Sequence, residues 1–206
     1  MPQRSDARRR MVQAARQLIR QRGYHATAIS DVLERSGAPR GSVYFHFPGG
    51  KTQLAAEAAE DHAHEQVVLI DEAAGRAGSA RELIEIYLAL ARDGMVSSDY
   101  SRGCGIAPLV TEAGPEQSDE IAETARRAFG AMIDRMAFHF VNLGLDRAPA
   151  RQLADAVIAG MEGAMVTARA LRSPAPFEAV LAVLAGHASA VTPKSAARKG
   201  SQQPPC

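Results

Sequence analysis

Tryptophan is absent from this chain, and the aromatic residues together make up 5% of it. Strand-favouring residues are sparse while alanine, arginine and glycine are abundant, a balance that favours helix throughout. Cysteine is nearly missing as well. Cys104 and Cys206 are the two present, too few for a disulfide framework. Cys206 closes a tail with few apolar residues, so a bridge between them is not expected, and Cys104 reads as a buried small hydrophobe before a reactive thiol. No apolar run approaches the ~20 residues of a membrane-spanning helix. The basic residues 1–10 lead into an amphipathic segment and not into an apolar signal core. The expectation is a soluble, cytoplasmic protein without a membrane partner. Its 206 residues, 46% of them hydrophobic, suffice for a real core in one or two domains.

Chemistry-bearing clusters are also lacking. There is no nucleophile elbow and no glycine-rich phosphate loop, which argues against an enzyme. His62 and His64 project to different sides of a helix, so spacing excludes a metal pair there. No cofactor and no metal are expected.

What is present is an uneven charge distribution beneath a net charge of +1. Residues 1–51 hold ten Lys/Arg against three Asp/Glu, and the remainder holds fourteen against twenty. A basic first quarter on an acidic remainder suits a protein with one end on a polyanion, although a basic face is often merely solvated.

Hydrophobic periodicity predicts an all-α chain. The first helix spans 6–22, with Met11, Ala14, Ala15, Leu18 and Ile19 on one face, and Gly23 ends it. Thr27 reads as the N-cap of a short helix to residue 36. The run Gly37-Ala38-Pro39 breaks that helix and a further short one covers 40–45, a helix-turn-helix unit. After Pro48-Gly49-Gly50 a long helix runs over 51–74. Others are expected at 80–95, 106–113, 116–143, 150–172 and 176–191, and 192–206 reads as a disordered tail. The resulting division is a head at 1–50, a body of about six helices at 51–191, and the tail.

The stretch from Gly23 to Lys51 carries the chemistry. A recognition helix brings small residues close to a major groove, and Gly41 and Ser42 suit that, while Arg40 can reach a base edge or a phosphate. Tyr44 and His46 are polar-tipped groups suited to phosphate oxygens, and Thr27 and Lys51 stand at helix N-termini, where phosphates bind. Second readings stand beside these: Tyr44 as a core aromatic, Thr27 as a cap alone. Phe45 and Phe47 read as hydrophobic anchors between head and body.

The sequence Gly23-Tyr24-His25-Ala26-Thr27-Ala28-Ile29, followed by Ser36-Gly37-Ala38-Pro39-Arg40-Gly41-Ser42-Val43-Tyr44-Phe45-His46-Phe47 and Lys51, resembles the DNA-binding domain of the TetR (tetracycline-repressor) family. The resemblance covers roughly residues 7–55. It implies Thr27, Tyr44, His46 and Lys51 as backbone clamps and Arg40, Gly41 and Ser42 as base-facing residues on double-stranded DNA. Phe-Pro-Gly-Gly-Lys is one residue longer than the usual connection. With Arg102-Gly103-Cys104-Gly105-Ile106-Ala107 it looks like the LmrA/YxaF subgroup, whose members often have proline where Gly105 stands.

The resemblance further implies a repressor with a body that binds a small, mostly apolar inducer of unknown identity. The candidate pocket residues are Tyr87, Met95, Cys104, Phe129, Met132, Met136 and His139, which read equally as plain core. It also implies a homodimer through the last two helices, with Leu153, Val157, Gly160, Met161, Ala164, Phe177, Val180, Leu181 and Leu184 at the interface, or else in an intramolecular core. The same head would serve a ligand-independent activator or an interaction module.

Overall fold

The computed structural model describes residues 2–112 and 119–191, with side chains from Asp6 onward. Among the described residues all regular structure is helical, as the composition predicts. In chain order the elements are α1 (Pro2–Arg22), α2 (Ile29–Ser36), a 3-10 turn (Arg40–Ser42) entering α3 (Val43–His46), α4 (Gly50–Arg76), α5 (Ala80–Ser97), α6 (Ala107–Thr111), α7 (Asp119–Asn142), α8 (Arg147–Leu171) and α9 (Ala175–Val191). The expected start at residue 116 and the expected disordered tail lie outside the described residues. The eighth helix begins three residues before the expected 150, with Pro149 in its first turn, where proline costs no helical hydrogen bond.

Helices α1 to α3 form the head. Its core joins Met11, Leu18 and Ile19 of α1 with Val32 of α2, Val43 of α3 and the fully buried Phe47. α4 leaves the head and enters the body, packing first on α1 and then on α7 and α5. Leu54, Ala55 and Ala58 at its start belong to the same continuous cluster as Ile70, Leu83, Leu88, Met132, Met136, Phe140 and Val157 further on. Fully burying each large apolar side chain is worth roughly 1.5–3 kcal/mol. One unbroken core thus ties the head to the body.

Charge does part of the same work. Arg8 pairs with Glu57 at 2.6 Å, and Arg16 reaches Asp61 at 3.0 Å and Glu65 at 3.3 Å. Half-buried Arg16 and Arg20, the latter 3.9 Å from Glu65, therefore lie along α4, and exposed Arg8 is paired there with Glu57. The sequence asymmetry overstates the charge available for a polyanion.

In the body, α8 packs on α7, α9 and α5. Leu153, Val157, Met161, Ala164 and Phe177 are buried within the single chain. A β-carbon on Gly160 would stand 2.8 Å from Val180 Cγ1, and Leu184 is close by. Val180, Leu181 and Leu184 pack against the core. The buried members of that stripe form the intramolecular seam between α8 and its neighbours, the second of the two readings, while Gly160, Val180, Leu181 and Leu184 are half-buried. The outward face carries Ala159, Gly163, Val166 and Ala170 of α8, and Ala179, Val183 and Gly186 of α9. Val166 and Val183 are 67% and 71% exposed.

Candidate nucleic-acid interface

The turn between α2 and α3 depends on Gly37. Its φ of 64° is left-handed, and the following Ala38 N–H bonds Leu33 O at 3.2 Å. Glycine takes that conformation without the cost a side chain would bring. Pro39 then sets an extended residue ahead of the 3-10 turn. Arg40 and Gly41 stand exposed on that turn. Ser42 donates its hydroxyl to Pro39 O at 2.7 Å, which closes the turn and leaves the hydroxyl oxygen as an acceptor.

Tyr44 is 67% exposed, so it is not a core aromatic. Its ring lies beside Gly50, whose own φ of 65° explains the longer glycine pair: the chain must pass a left-handed residue to enter α4. Half-buried His46 stacks edge-on against Phe45, centroids 5.1 Å apart. The two phenylalanines divide. Phe47 anchors the head beneath Arg8, whose guanidinium lies 5.2 Å from the ring centroid. Phe45 is 66% exposed, which corrects its expected role as an anchor, because α3 turns that face away from the body.

Thr27 also needs correction. The N-cap of α2 is Ala28, with no side-chain bond. Thr27 is buried and its hydroxyl donates to Gly23 O at 2.7 Å, tightening the corner after α1. The helix begins one residue later than the spacing suggests, with the Thr27 hydroxyl turned back to Gly23. Lys51 lies in the first turn of α4 as expected. Its ammonium donates to His25 O at 3.1 Å and lies 4.6 Å from the Tyr24 ring centroid. Burial pulls its pKa below the usual lysine range. It holds the head corner and presents a cation there at once.

The expected pocket residues lie in three different surroundings. Tyr87, Cys104, Met132 and Met136 are buried in the main core with Phe129 against it. Met95 belongs to a separate cluster with Ala164, Ala168 and Phe177. His139 bonds Asp71 of α4 at 2.6 Å, beside Arg135, which grips both oxygens of the same carboxylate. That Arg135 contact holds the Asp71 carboxyl below its usual range. Helical spacing reveals which residues face inward, but not which of them share a cavity.

Sequence reasoning missed the contacts that couple head to body. Arg20 and Gly103 exchange two bonds: the Arg20 Nε–H to Gly103 O at 2.9 Å, and the Gly103 N–H to Arg20 O at 2.8 Å. Arg169 of α8 donates to the carbonyls of Gln21 and Ser101, each at 2.5 Å. Glu112, just after α6, sits against Gly23, where any β-carbon would stand 2.0 Å from its carboxylate. No local pattern announces such long-range partners.

Comparison with known proteins agrees with this geometry. Residues 11–58 match the family model described as bacterial regulatory proteins, tetR family, and residues 80–183 match that of the LmrA/YxaF-like transcriptional regulator C-terminal domain. An uncharacterized HTH-type transcriptional regulator of Mycobacterium tuberculosis, Rv0196, is 43% identical over 178 residues, spanning 84% of this chain and 89% of that protein. The regulatory protein TetR from Rhodobacter sphaeroides shares the fold with a TM-score of 0.77 at 22% identity, over 88% of this chain and 98% of its own. A cysteine variant of the TetR-family regulator CifR, complexed with 26-bp double-strand operator DNA, superposes with a TM-score of 0.71 at 20% identity, over 89% of this chain and 95% of its own. The chain belongs to the TetR family of bacterial transcriptional regulators, within its LmrA/YxaF-like branch.

Proposed function

We propose that this regulator is a homodimeric repressor that leaves a pseudo-palindromic operator when its body binds a small molecule. The carrying observation is the exposed edge Arg40-Gly41-Ser42 with Tyr44 beside it, held on a head whose core runs unbroken into the body. Arg40 reads a base edge, Gly41 and Ser42 allow close approach, and Tyr44, His46 and Lys51 contact phosphates. The functional division falls near residue 50, where α4 begins, although the first turns of α4 complete the head core. Such a protein works beside the genome, in the cytoplasm.

One helix-turn-helix rarely gives specific binding alone, and two recognition elements about 34–36 Å apart match successive major grooves. The outward face of α8 and α9 supports the dimer: alanines and glycines with Val166, Leu171 and Val183 leave an apolar strip that a second copy would cover. A ligand releases DNA if it binds better to the form whose heads miss that spacing.

The test is a mobility shift on the region upstream of the protein's own gene. A specific band whose affinity falls steeply with salt is expected. Arg40→Ala should weaken specific binding by about 1–3 kcal/mol. No salt-sensitive specific band on any fragment would overturn the reading.

A further inference from the structure

Where the head meets the body there is a cleft of about 440 Å³, within the size range of small-molecule sites. Its walls are the end of α1, the segment that leads into α6, and α8. Cys104, Pro108 and Met165 line it, and so does Glu162. The Glu162 Oε1 is shielded from solvent and has no hydrogen-bond partner among the described residues. The buried Cys104 thiol lines the same cleft. The Cys104 sulfur accepts from the N–H groups of Ile106 and Ala107 at 3.2 and 3.4 Å.

A buried acceptor without a donor is costly, and natural proteins leave few of them. The arginines that reach the same cleft are already engaged. Arg20 serves Gly103 O, Arg22 pairs with Asp31, and Arg169 serves two carbonyls. What Glu162 Oε1 lacks is therefore a donor placed to reach it. Burial raises the Glu162 pKa above the ordinary carboxylate range, so a partner carrying positive charge would gain most by letting it ionise.

We propose that this cleft is an effector site for a compact apolar molecule bearing one protonated amine. The amine binds the free oxygen of Glu162 and the apolar part lies against Met165 and Pro108. The proposal rests on the regulator reading and adds the ligand class and its place. An occupant here touches the end of α1 and α8 together, beside the bonds of Arg20 and Arg169 that join head to body. It is thus placed to favour one head position over another.

The test uses the full chain without DNA, with naphthylethylamine as the fluorescent probe. Naphthylethanol and naphthylacetate serve as its neutral and anionic counterparts. The absence of tryptophan leaves the naphthyl emission clear. The amine should bind at least about tenfold more tightly than either counterpart, a difference near 1.4 kcal/mol. Glu162→Gln should abolish that preference while naphthylethanol binding persists. Ala107→Leu, which narrows the cleft without touching the carboxyl, should weaken both. Equal affinities for amine and alcohol, or an amine preference that survives Glu162→Gln, overturn the proposal. Operator binding, measured separately, distinguishes the failures: no amine preference in the unmodified chain with operator binding intact rejects the cleft alone, whereas absent operator binding rejects the regulator reading.

Discussion

His25 and Glu112 are joined twice across 87 residues of sequence. The His25 main-chain N–H donates to Glu112 Oε2 at 2.7 Å, and its ring Nε2–H donates to the Glu112 carbonyl at 2.6 Å. His25 lies in the corner between α1 and α2, and Glu112 follows α6. Lys51 Nζ bonds the His25 carbonyl from the other side. The corner that sets the angle of the helix-turn-helix is therefore fastened to the body through both the side chain and the carbonyl of Glu112.

Glu112→Ala should loosen that corner. The expected loss is about 1 kcal/mol in unfolding free energy, with faster amide exchange at His25 and its neighbours. An unchanged exchange rate at His25 would show that the contact does not hold the corner.

Phe47→Ala should destabilise the protein by about 3–5 kcal/mol, because it empties a fully enclosed site in the head core. Phe45→Ala should change stability by less than about 0.5 kcal/mol, as for other exposed positions. Chemical denaturation of the two variants side by side separates them, and equal losses would contradict the assigned faces.

Tyr44→Phe should weaken binding to specific and unrelated DNA by a similar factor, since a phosphate contact carries no sequence information. Arg40→Ala should instead narrow the gap between specific and non-specific affinity. Titrations on an operator and on random duplex check both. A Tyr44→Phe effect confined to one sequence would make Tyr44 a base reader.

His62 gives a pH signature. It is 2% exposed and packs against Gly105, with Glu65 at 3.4 Å and Arg16 and Arg20 around that carboxylate. Burial lowers its pKa below 6.5, so below that pH the unfolded chain binds the proton first and stability falls. Melting temperature should therefore decline from about pH 7 to about pH 5, above the range where most carboxylates titrate. His62→Gln should flatten the decline. The same slope in both proteins would remove His62 as its cause.

Glu162 works in the opposite direction. Its pKa is raised by burial, so as pH climbs past 4.5 the unfolded chain ionises first and stability is lost. Glu162→Gln should raise the melting temperature at about pH 7.5 more than at about pH 4. A uniform shift at both would mean that the carboxyl carries no net ionisation cost.

Much of the fold was legible because helical structure is local. The breaks at Gly23, Gly37-Ala38-Pro39 and Pro48-Gly49 act within a few residues, and each falls between helices in the structure. The presence of Arg40 and Gly41 on the outer surface of the head was equally readable, whereas Tyr44 had two open readings that only its burial decided. Thr27 and Phe45 were misplaced by the same reasoning. A residue at a helix boundary has two local partners to choose from, and spacing cannot say which it takes.

Gly105 shows the remaining gap. A glycine in place of the subgroup's frequent proline looks like a neutral departure in the sequence, but in the structure a β-carbon there would stand 2.9 Å from the His62 ring. Periodicity likewise marked Leu153, Val157 and Met161 as an apolar stripe without saying whether it faces α5, α7 and α9 or a second chain. The sequence by itself determined an all-helical chain with a DNA-reading head, because propensity, capping and period act over one or two turns. Tertiary structure alone decided which apolar face is left uncovered, how Glu112 and Arg169 fasten head to body, and that Glu162 lines a cleft with an unmet bond. Those depend on residues far apart in sequence meeting in space.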